Sequence, residues 1–361
     1  FPATAAGYRA LLTWIGSFGG VGAVGVEGTG TYGAGLARYL TAQNVRVIEV
    51  DRPDRKTRRR QGKSDPIDAI AAARAVLSGT ATGTPKTRSG PVEAVRALRV
   101  ARRGAVKARV AALNQLHGLI ASAPEVMRAN LVDLTRAALV SRCAGFRVDE
   151  QQLDAPVQAT KAALRAVAHR IQLLDEEIGI ADRRIGPAIA QIAPATLALP
   201  GVGPQVASQL VVSAGDNPER LRSEAALAHL CGAAPLPASS GRTDRHRLNR
   251  GGDRHANNAL HTVVLSRMKY DPNTRRYVER RTAQGLSKKD IMRCLKRFVV
   301  REVYATLMKD FPRSTQLTVH RSIPPLPRRI LANVATPELQ ELPWVVEDLS
   351  RNTPSLKISR S

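Results

Sequence analysis

The chain has 361 residues, with 55 Lys and Arg against 30 Asp and Glu, a formal charge of +25 and a pI near 11.1. That length supports two domains with a sizeable core, and so large a cationic excess calls for a polyanionic partner, nucleic acid before an acidic membrane surface. No apolar run reaches the length of a membrane span and no signal-peptide pattern is present, which sets the membrane aside and points to a cytoplasmic, nucleoid-associated protein.

Residues 8–17 read as a short amphipathic helix. The apolar run 21–26 then reads as a buried strand. It ends in Glu27, which opens a glycine-rich turn, Glu27-Gly28-Thr29-Gly30-Thr31-Tyr32-Gly33. A helix near 34–43 and a strand over 45–50 follow, an α/β pattern. Next comes a basic run that includes Arg55, Lys56, Arg58, Arg59, Arg60 and Lys63, placed to hold phosphates. It leads directly into Gly62-Lys63-Ser64-Asp65-Pro66-Ile67-Asp68-Ala69 and a helix that continues to Leu77.

Asp65 and Asp68 are three residues apart and share one face of that helix, so they can share a cation, with Glu27 as a third carboxylate. The same Asp-Pro-x-Asp pattern also makes a helix N-terminus: Asp at the N-cap, Pro at the first helical position, an acid near N3. The two readings are compatible.

From about 92 to 195 the pattern is almost wholly helical. Its last part spaces Leu164, Val167, Ile171, Leu174, Ile178, Ala181, Ile185, Ala188 and Ile192 as a heptad seam, suited to an antiparallel hairpin or an intermolecular coiled coil. Gly179, Gly186 and Pro187 are expected to weaken its end. Leu199-Pro200-Gly201-Val202-Gly203-Pro204 is similar to the hairpin of a helix-hairpin-helix element, in which Gly201 and Gly203 let backbone N–H groups approach a phosphate. Residues 235–254 read as a polar basic loop carrying Ser239, Ser240, Arg242, Arg245, Arg247, Arg250 and Arg254. Helices are expected near 255–269 and 287–308, the second opened by a Ser287/Asp290 capping box. Beyond Phe311 a proline-punctuated tail lacks a core of its own.

Three widely separated cysteines give neither zinc spacing nor a disulfide framework, and the seven histidines form no ligand pattern. Aromatics are only 4% of the chain, which argues against recognising single strands by base stacking; phosphate contacts should dominate.

Glu27 with its glycine-rich turn, the Gly-Lys-Ser-Asp-Pro-Ile-Asp-Ala block, Leu-Pro-Gly-Val-Gly-Pro, and the Ser-Ser-Gly to Arg-Leu-Asn-Arg-Gly-Gly-Asp-Arg loop occur in one order. As a set, over roughly residues 8–308, they resemble the DEDD-type serine transposases of the one-ten/one-sixteen/nine-zero-two family of insertion sequences. The resemblance implies a RuvC-like (RNase H fold) domain over 1–90, a helical coiled-coil insert over 91–195, and a C-terminal transposase domain over 196–311, with 312–361 an irregular tail. It implies a catalytic set of Glu27, Asp65 and Asp68 on Mg²⁺ or Mn²⁺, with Ser240 as nucleophile and Ser239 as second choice. Its implied partners are double-stranded DNA, a bridge-type non-coding RNA that pairs with target and donor DNA, and further copies of the chain in a homodimer or tetramer.

The family pattern places a first Asp upstream of the Glu, and no acid precedes Glu27 here. The expectation is therefore an N-terminally truncated RuvC-like domain, short of its first strands, and a chain unable as it stands to cut or join DNA. A non-enzymatic nucleic-acid-binding protein, its acids serving only as caps, is the alternative; a structural coiled-coil oligomer is the third reading.

Overall fold

The computed structural model describes residues 1–50, 65–242, 246–247, 249 and 251–311. The chain divides into one unit of residues 1–52 and 82–313 and another of 53–81 and 314–361.

The first unit opens with helix α1 (Ala5–Gly16), begun where Thr4 Oγ1 accepts the Gly7 N–H at 3.2 Å. Strand β1 (Val24–Glu27), helix α2 (Ala34–Ala42) and strand β2 (Val47–Val50) follow. The strands pair in parallel, Val24 opposite Val47 through Glu27 opposite Val50, and α2 is the crossover between them. Val26, Ala37, Leu40 and Val47 bury a small core, against which Leu12 and Tyr39 pack. The strand begins at Val24, not at residue 21, because its pairing begins where β2 does: the Val24 N–H donates to the Arg46 carbonyl at 2.8 Å. Among the described residues the α/β portion is thus a two-stranded sheet. Its β2 side is extended by a single antiparallel bridge, Glu49 to Gly83, with a 2.7 Å hydrogen bond.

From Gly83 to Gly90 the chain is a strap sewn to the end of a distant helix. Lys86 Nζ donates to the Val212 carbonyl at 2.8 Å, the Thr87 N–H to Asn217 Oδ1 at 3.3 Å, and Asn217 Nδ2 to the Pro85 carbonyl at 3.1 Å. Helix α4 (Pro91–Ala121) starts under Asp216, whose Oδ1 accepts the Val92 N–H at 2.9 Å.

Two short helices, α5 (Glu125–Arg128) and α6 (Arg136–Ala144), lead to the 37-residue α7 (Pro156–Ile192). Arg102 binds Asp182 and Arg109 binds Asp175, each at 2.5 Å. Seven residues forward along α4 therefore meet seven residues back along α7, an antiparallel hairpin. At its tip Ala112, Leu116, Ile120, Leu164, Val167 and Ile171 close a core with Leu139 and Cys143 of α6. At its base Val92, Val95, Ala181, Ile185 and Ile189 join the C-terminal helices, so packing is continuous across residue 195. Helix α7 runs through Gly179, Gly186 and Pro187. Pro187 is exposed, so its ring meets no packing partner and the carbonyl it strands is open to water.

The C-terminal part comprises α8 (Pro194–Leu197), α9 (Pro204–Ala214), α10 (Glu224–Leu230), β3 (Leu236–Pro237), β4 (His246–Arg247), α11 (Arg254–Tyr270), α12 (Pro272–Ala283) and α13 (Lys288–Asp310). Leu210, Leu227, Leu260, Val263, Ile291, Val300 and Leu307 fill its core. Asp310 at the end of α13 caps α8, accepting the Ala195 and Thr196 N–H groups at 2.8 and 2.9 Å. The Ser287 cap forms as expected: its Oγ accepts the Asp290 N–H at 3.3 Å. Helix α12 is an addition to the expected elements.

In the second unit the described element is α3 (Asp65–Leu77), closed by a 2.9 Å bond from the Ala81 N–H to the Ala75 carbonyl. No helix among the described residues is long and apolar enough to cross a membrane.

Candidate active site and nucleic-acid interface

The basic loop of 235–254 is built on a short hairpin. Leu236 pairs with Arg247 and Pro237 with His246, antiparallel, so Ser240 and Gly241 lie in the connection between the strands. Ser240 is exposed and Gly241 takes a φ of +55°, with open space where a side chain would project. Arg242, two residues after Ser240, and Arg247, in β4, are also exposed. Arg245 and Arg250 lie outside the described residues.

The segment after the hairpin is fixed by close backbone approach. At Gly252 (φ +83°) a Cβ would stand 2.5 Å from the Leu230 carbonyl oxygen, and at Gly232 (φ +62°) 2.7 Å from that of Gly251; only glycine fits without displacement. The Asp253 N–H then donates to the Leu230 carbonyl at 2.6 Å. Asp253 caps α11 by accepting from the His255 and Ala256 N–H groups at 2.8 and 3.2 Å, and its other oxygen accepts from Ser213 Oγ at 2.5 Å. Arg254, the first residue of α11, is exposed.

A polar network runs from Asp253 to the helical hairpin. Gln209 Nε2 donates to Ser213 Oγ at 3.0 Å, Arg99 Nη2 donates to Gln209 Oε1 at 2.8 Å, and Arg99 Nη1 donates to the Gln205 carbonyl at 2.8 Å. Burial, then the neighbouring Arg102 and Arg103, lowers the Arg99 pKa to about 10. Lys86 is brought down to about 8 by burial first, then by the charges of Arg220 and Arg88. For Asp253, burial works to raise the pKa, but hydrogen bonds from Ser213, His255 and Ala256 and the Lys86 charge outweigh it and hold the carboxyl low. Sequence reasoning named none of Lys86, Ser213 or Asp253 as site residues. The one signal available was an Asp directly before a helix.

Gly201 takes a φ of +73° in the turn between α8 and α9, and Gly203 caps α9. Both are exposed, and Arg267 Nε, donating to the Pro200 carbonyl at 2.9 Å, pins the turn to α11. Pro204 at the first position of α9 removes one donor, leaving the glycine N–H groups and that of Gln205 to meet a phosphate.

Glu27 ends β1 and is half-buried. The turn behind it is tight: a Cβ on Gly33 would stand 2.4 Å from the Glu27 carbonyl oxygen. Thr29 donates its hydroxyl to Glu49. Asp65 and Asp68 occupy the first turn of α3, in the other unit, and Asp68 is half-buried. The Asp65 side chain, and the run with Arg55, Lys56, Arg58, Arg59, Arg60 and Lys63, lie outside the described residues. Among the described residues no group of three or more His, Cys, Asp or Glu side chains gathers to hold a metal. Each carboxylate is by its chemistry an oxygen ligand of the kind a hard divalent cation takes.

Residues 195–279 match a family model described as Transposase IS116/IS110/IS902 family. Residues 1–123 match the DEDD domain model of IS110 transposases, described as Transposase. No curated protein matches the chain. Two transposase family models thus match the chain, one at its N-terminal part and one in its C-terminal part.

Proposed function

Because both domain models of one transposase family match, and because the candidate acids and the candidate serine fall inside them, we propose that this chain is the DNA transposase of an insertion sequence, cutting and rejoining DNA through a serine ester. The observation that carries this reading is the placement of Ser240: exposed, in the connection between β3 and β4 of a hairpin that also carries Arg242 and Arg247, and within the 195–279 match.

Ser240 Oγ attacks the phosphorus, the bond from phosphorus to one deoxyribose oxygen breaks, and the serine proton is lost to solvent as the leaving oxygen becomes a hydroxyl. The phosphoserine ester keeps the bond energy, so a second DNA hydroxyl displaces Ser240 without ATP. Arg242 and Arg247 bring positive charge to the phosphate as negative charge develops on it. Glu27, Asp65 and Asp68 would hold Mg²⁺ or Mn²⁺, which when bound neutralises charge on the attacking and leaving oxygens. Selection of target and donor falls to a non-coding RNA, its backbone and that of the DNA held by the arginines of residues 52–63 and of the Ser240 hairpin. A RuvC-like N-terminal domain and assembly into a homodimer or tetramer belong to the same reading.

The test is trapping of a protein–DNA adduct that survives denaturation, with labelled donor and target DNA and matched RNA. An adduct is expected that Ser240→Ala abolishes and Ser239→Ala keeps. An adduct formed by Ser240→Ala moves the nucleophile elsewhere. Salt-sensitive duplex binding with no adduct leaves a non-enzymatic nucleic-acid-binding protein.

A further inference from the structure

Behind the Ser240 hairpin lies a cavity of about 530 Å³, walled by β4, the segment that follows α10, and residues of α11, α12 and α13. That size suits a small organic ligand and exceeds what an inorganic anion fills. Two kinds of wall meet in it. One is aromatic: Phe298, 41% exposed, and Tyr277 meet edge to face with ring centres 5.6 Å apart. The Arg301 guanidinium lies 5.6 Å from the centre of the Phe298 ring. The other wall is cationic, with Arg247, Arg293, Lys296, Arg297 and Arg301 against, among the described residues, a single lining acid, Asp290.

Those cations are unequally neutralised. Asp290 is taken by Arg293 at 2.7 Å, and Glu224 by both terminal nitrogens of Arg297, leaving Arg301 4.0 Å from a carboxylate already engaged. Among the described residues Arg247 and Lys296 have no carboxylate partner. Lys296 is half-buried, and its Nζ donates at 2.8 Å to a neutral oxygen, Asn257 Oδ1. Asn257 is itself held by donating to the Cys231 and Gly232 carbonyls at 2.8 and 3.1 Å. Burial lowers the Lys296 pKa, the response of an ammonium that no anion has joined.

A planar apolar wall beside unpaired cations is complementary to a base joined to a phosphate. An acidic peptide would match the cations but not the ring. We propose that this cavity receives one unpaired nucleotide of the DNA strand lying along the Ser240 hairpin, its base against Phe298 and its phosphate at Lys296 and Arg247. Arg247 belongs both to the cavity wall and to the strand that follows the Ser240 turn, so a backbone crossing the hairpin reaches the cavity mouth. The pocket adds a preference for distorted over continuous duplex, since a base already unpaired is extruded at least cost. The inference rests on DNA being the substrate and not on Ser240 being the nucleophile.

The test uses the full chain and fluorescence anisotropy at 0.15 M salt, comparing a fully paired duplex with the same duplex bearing one bulged nucleotide. The bulged duplex is expected to bind about tenfold tighter, in line with stacking of one base on one ring. Phe298→Leu, which keeps an apolar side chain but removes the ring face, and Lys296→Gln should each erase that preference and leave the paired duplex bound as before. Deoxyadenosine monophosphate should abolish the preference where inorganic phosphate at equal ionic strength does not. Equal affinity for both duplexes, or a preference that survives both substitutions, overturns the proposal. So does an RNA bulge that binds tighter than the DNA bulge, or an acidic peptide that competes as well as the mononucleotide. Ser240→Ala should retain the preference. Loss of the adduct with the preference intact tests the nucleophile alone, and an active enzyme without the preference sinks only the pocket.

Discussion

Replacing Lys86 with methionine should change how stability depends on alkaline pH. The amine sits in the strap of residues 83–90 and is brought from 10.5 to about 8, by burial first and then by Arg220 and Arg88. A base whose folded pKa is depressed binds fewer protons folded than unfolded between those values. The unfolding free energy therefore rises with pH from about 8 to about 10.5, and the cost of the buried charge is fully present below that window. The gap corresponds to about 3 kcal/mol. Methionine matches the length of the stem and removes the charge, but it forfeits the bond to the Val212 carbonyl, worth about 1 kcal/mol. Lys86→Met should thus be more stable than the parent by about 2 kcal/mol at pH 7 and less stable by about 1 kcal/mol near pH 10.5. Urea unfolding of both proteins at pH 7, 8.5 and 10 reads the difference directly. A difference that stays constant across the series would mean that the amine is solvated and the strap is not packed as described.

Asp253→Ala strips Ser213, His255 and Ala256 of their acceptor and should cost about 2–3 kcal/mol, a lost cap plus a lost charged hydrogen bond. Because the Asp253 pKa is lowered in the fold, that stability is present above the unfolded carboxylate pKa and fades as pH falls through the folded one; in an acid titration the variant should therefore unfold at a higher pH than wild type, and the stability difference should shrink towards zero at low pH. Leu116→Ala, at a fully buried position of the hairpin tip, should cost about 2–5 kcal/mol by denaturant unfolding, and an undiminished midpoint would contradict the packing of α4 on α7. Duplex binding should fall steeply between 50 and 200 mM salt, by roughly a thousandfold or more if six or more phosphates are contacted; a flat salt response in a titration would contradict a charge-driven interface.

What could be read from the residues alone was whatever is settled within a few positions. Ser287 and Asp290 declare their helix start because a cap is a contact three residues long. Glu27 at a strand end and Asp65 at a helix start were legible for the same reason. Helix α12 has an equally local signal, Asp271 before Pro272, but its Arg-rich turns bury only Thr274. With no apolar stripe to count, periodicity is silent. The two-residue strands under Ser240 were invisible because a pair so short has no alternation to show.

The heptad seam shows where local reading stops. Its spacing fits an intramolecular hairpin and an intermolecular coil equally, since both bury the same stripe. In this chain the hairpin forms: the stripe is buried against α4 and α6, and Arg102 with Asp182 and Arg109 with Asp175 mark its register across the chain reversal through α6. The seam is used twice: near Leu116 it closes the tip, and near Ile185 it becomes a wall of the C-terminal core. Arg99, on the same helix as the tip residues, is then the first link of the chain through Gln209 and Ser213 to Asp253. The segment that follows the candidate serine is therefore held by a helix that begins more than a hundred residues earlier. A substitution at Arg99 should loosen the Asp253 turn before it affects the hairpin tip, because the tip has a core of its own and the turn does not.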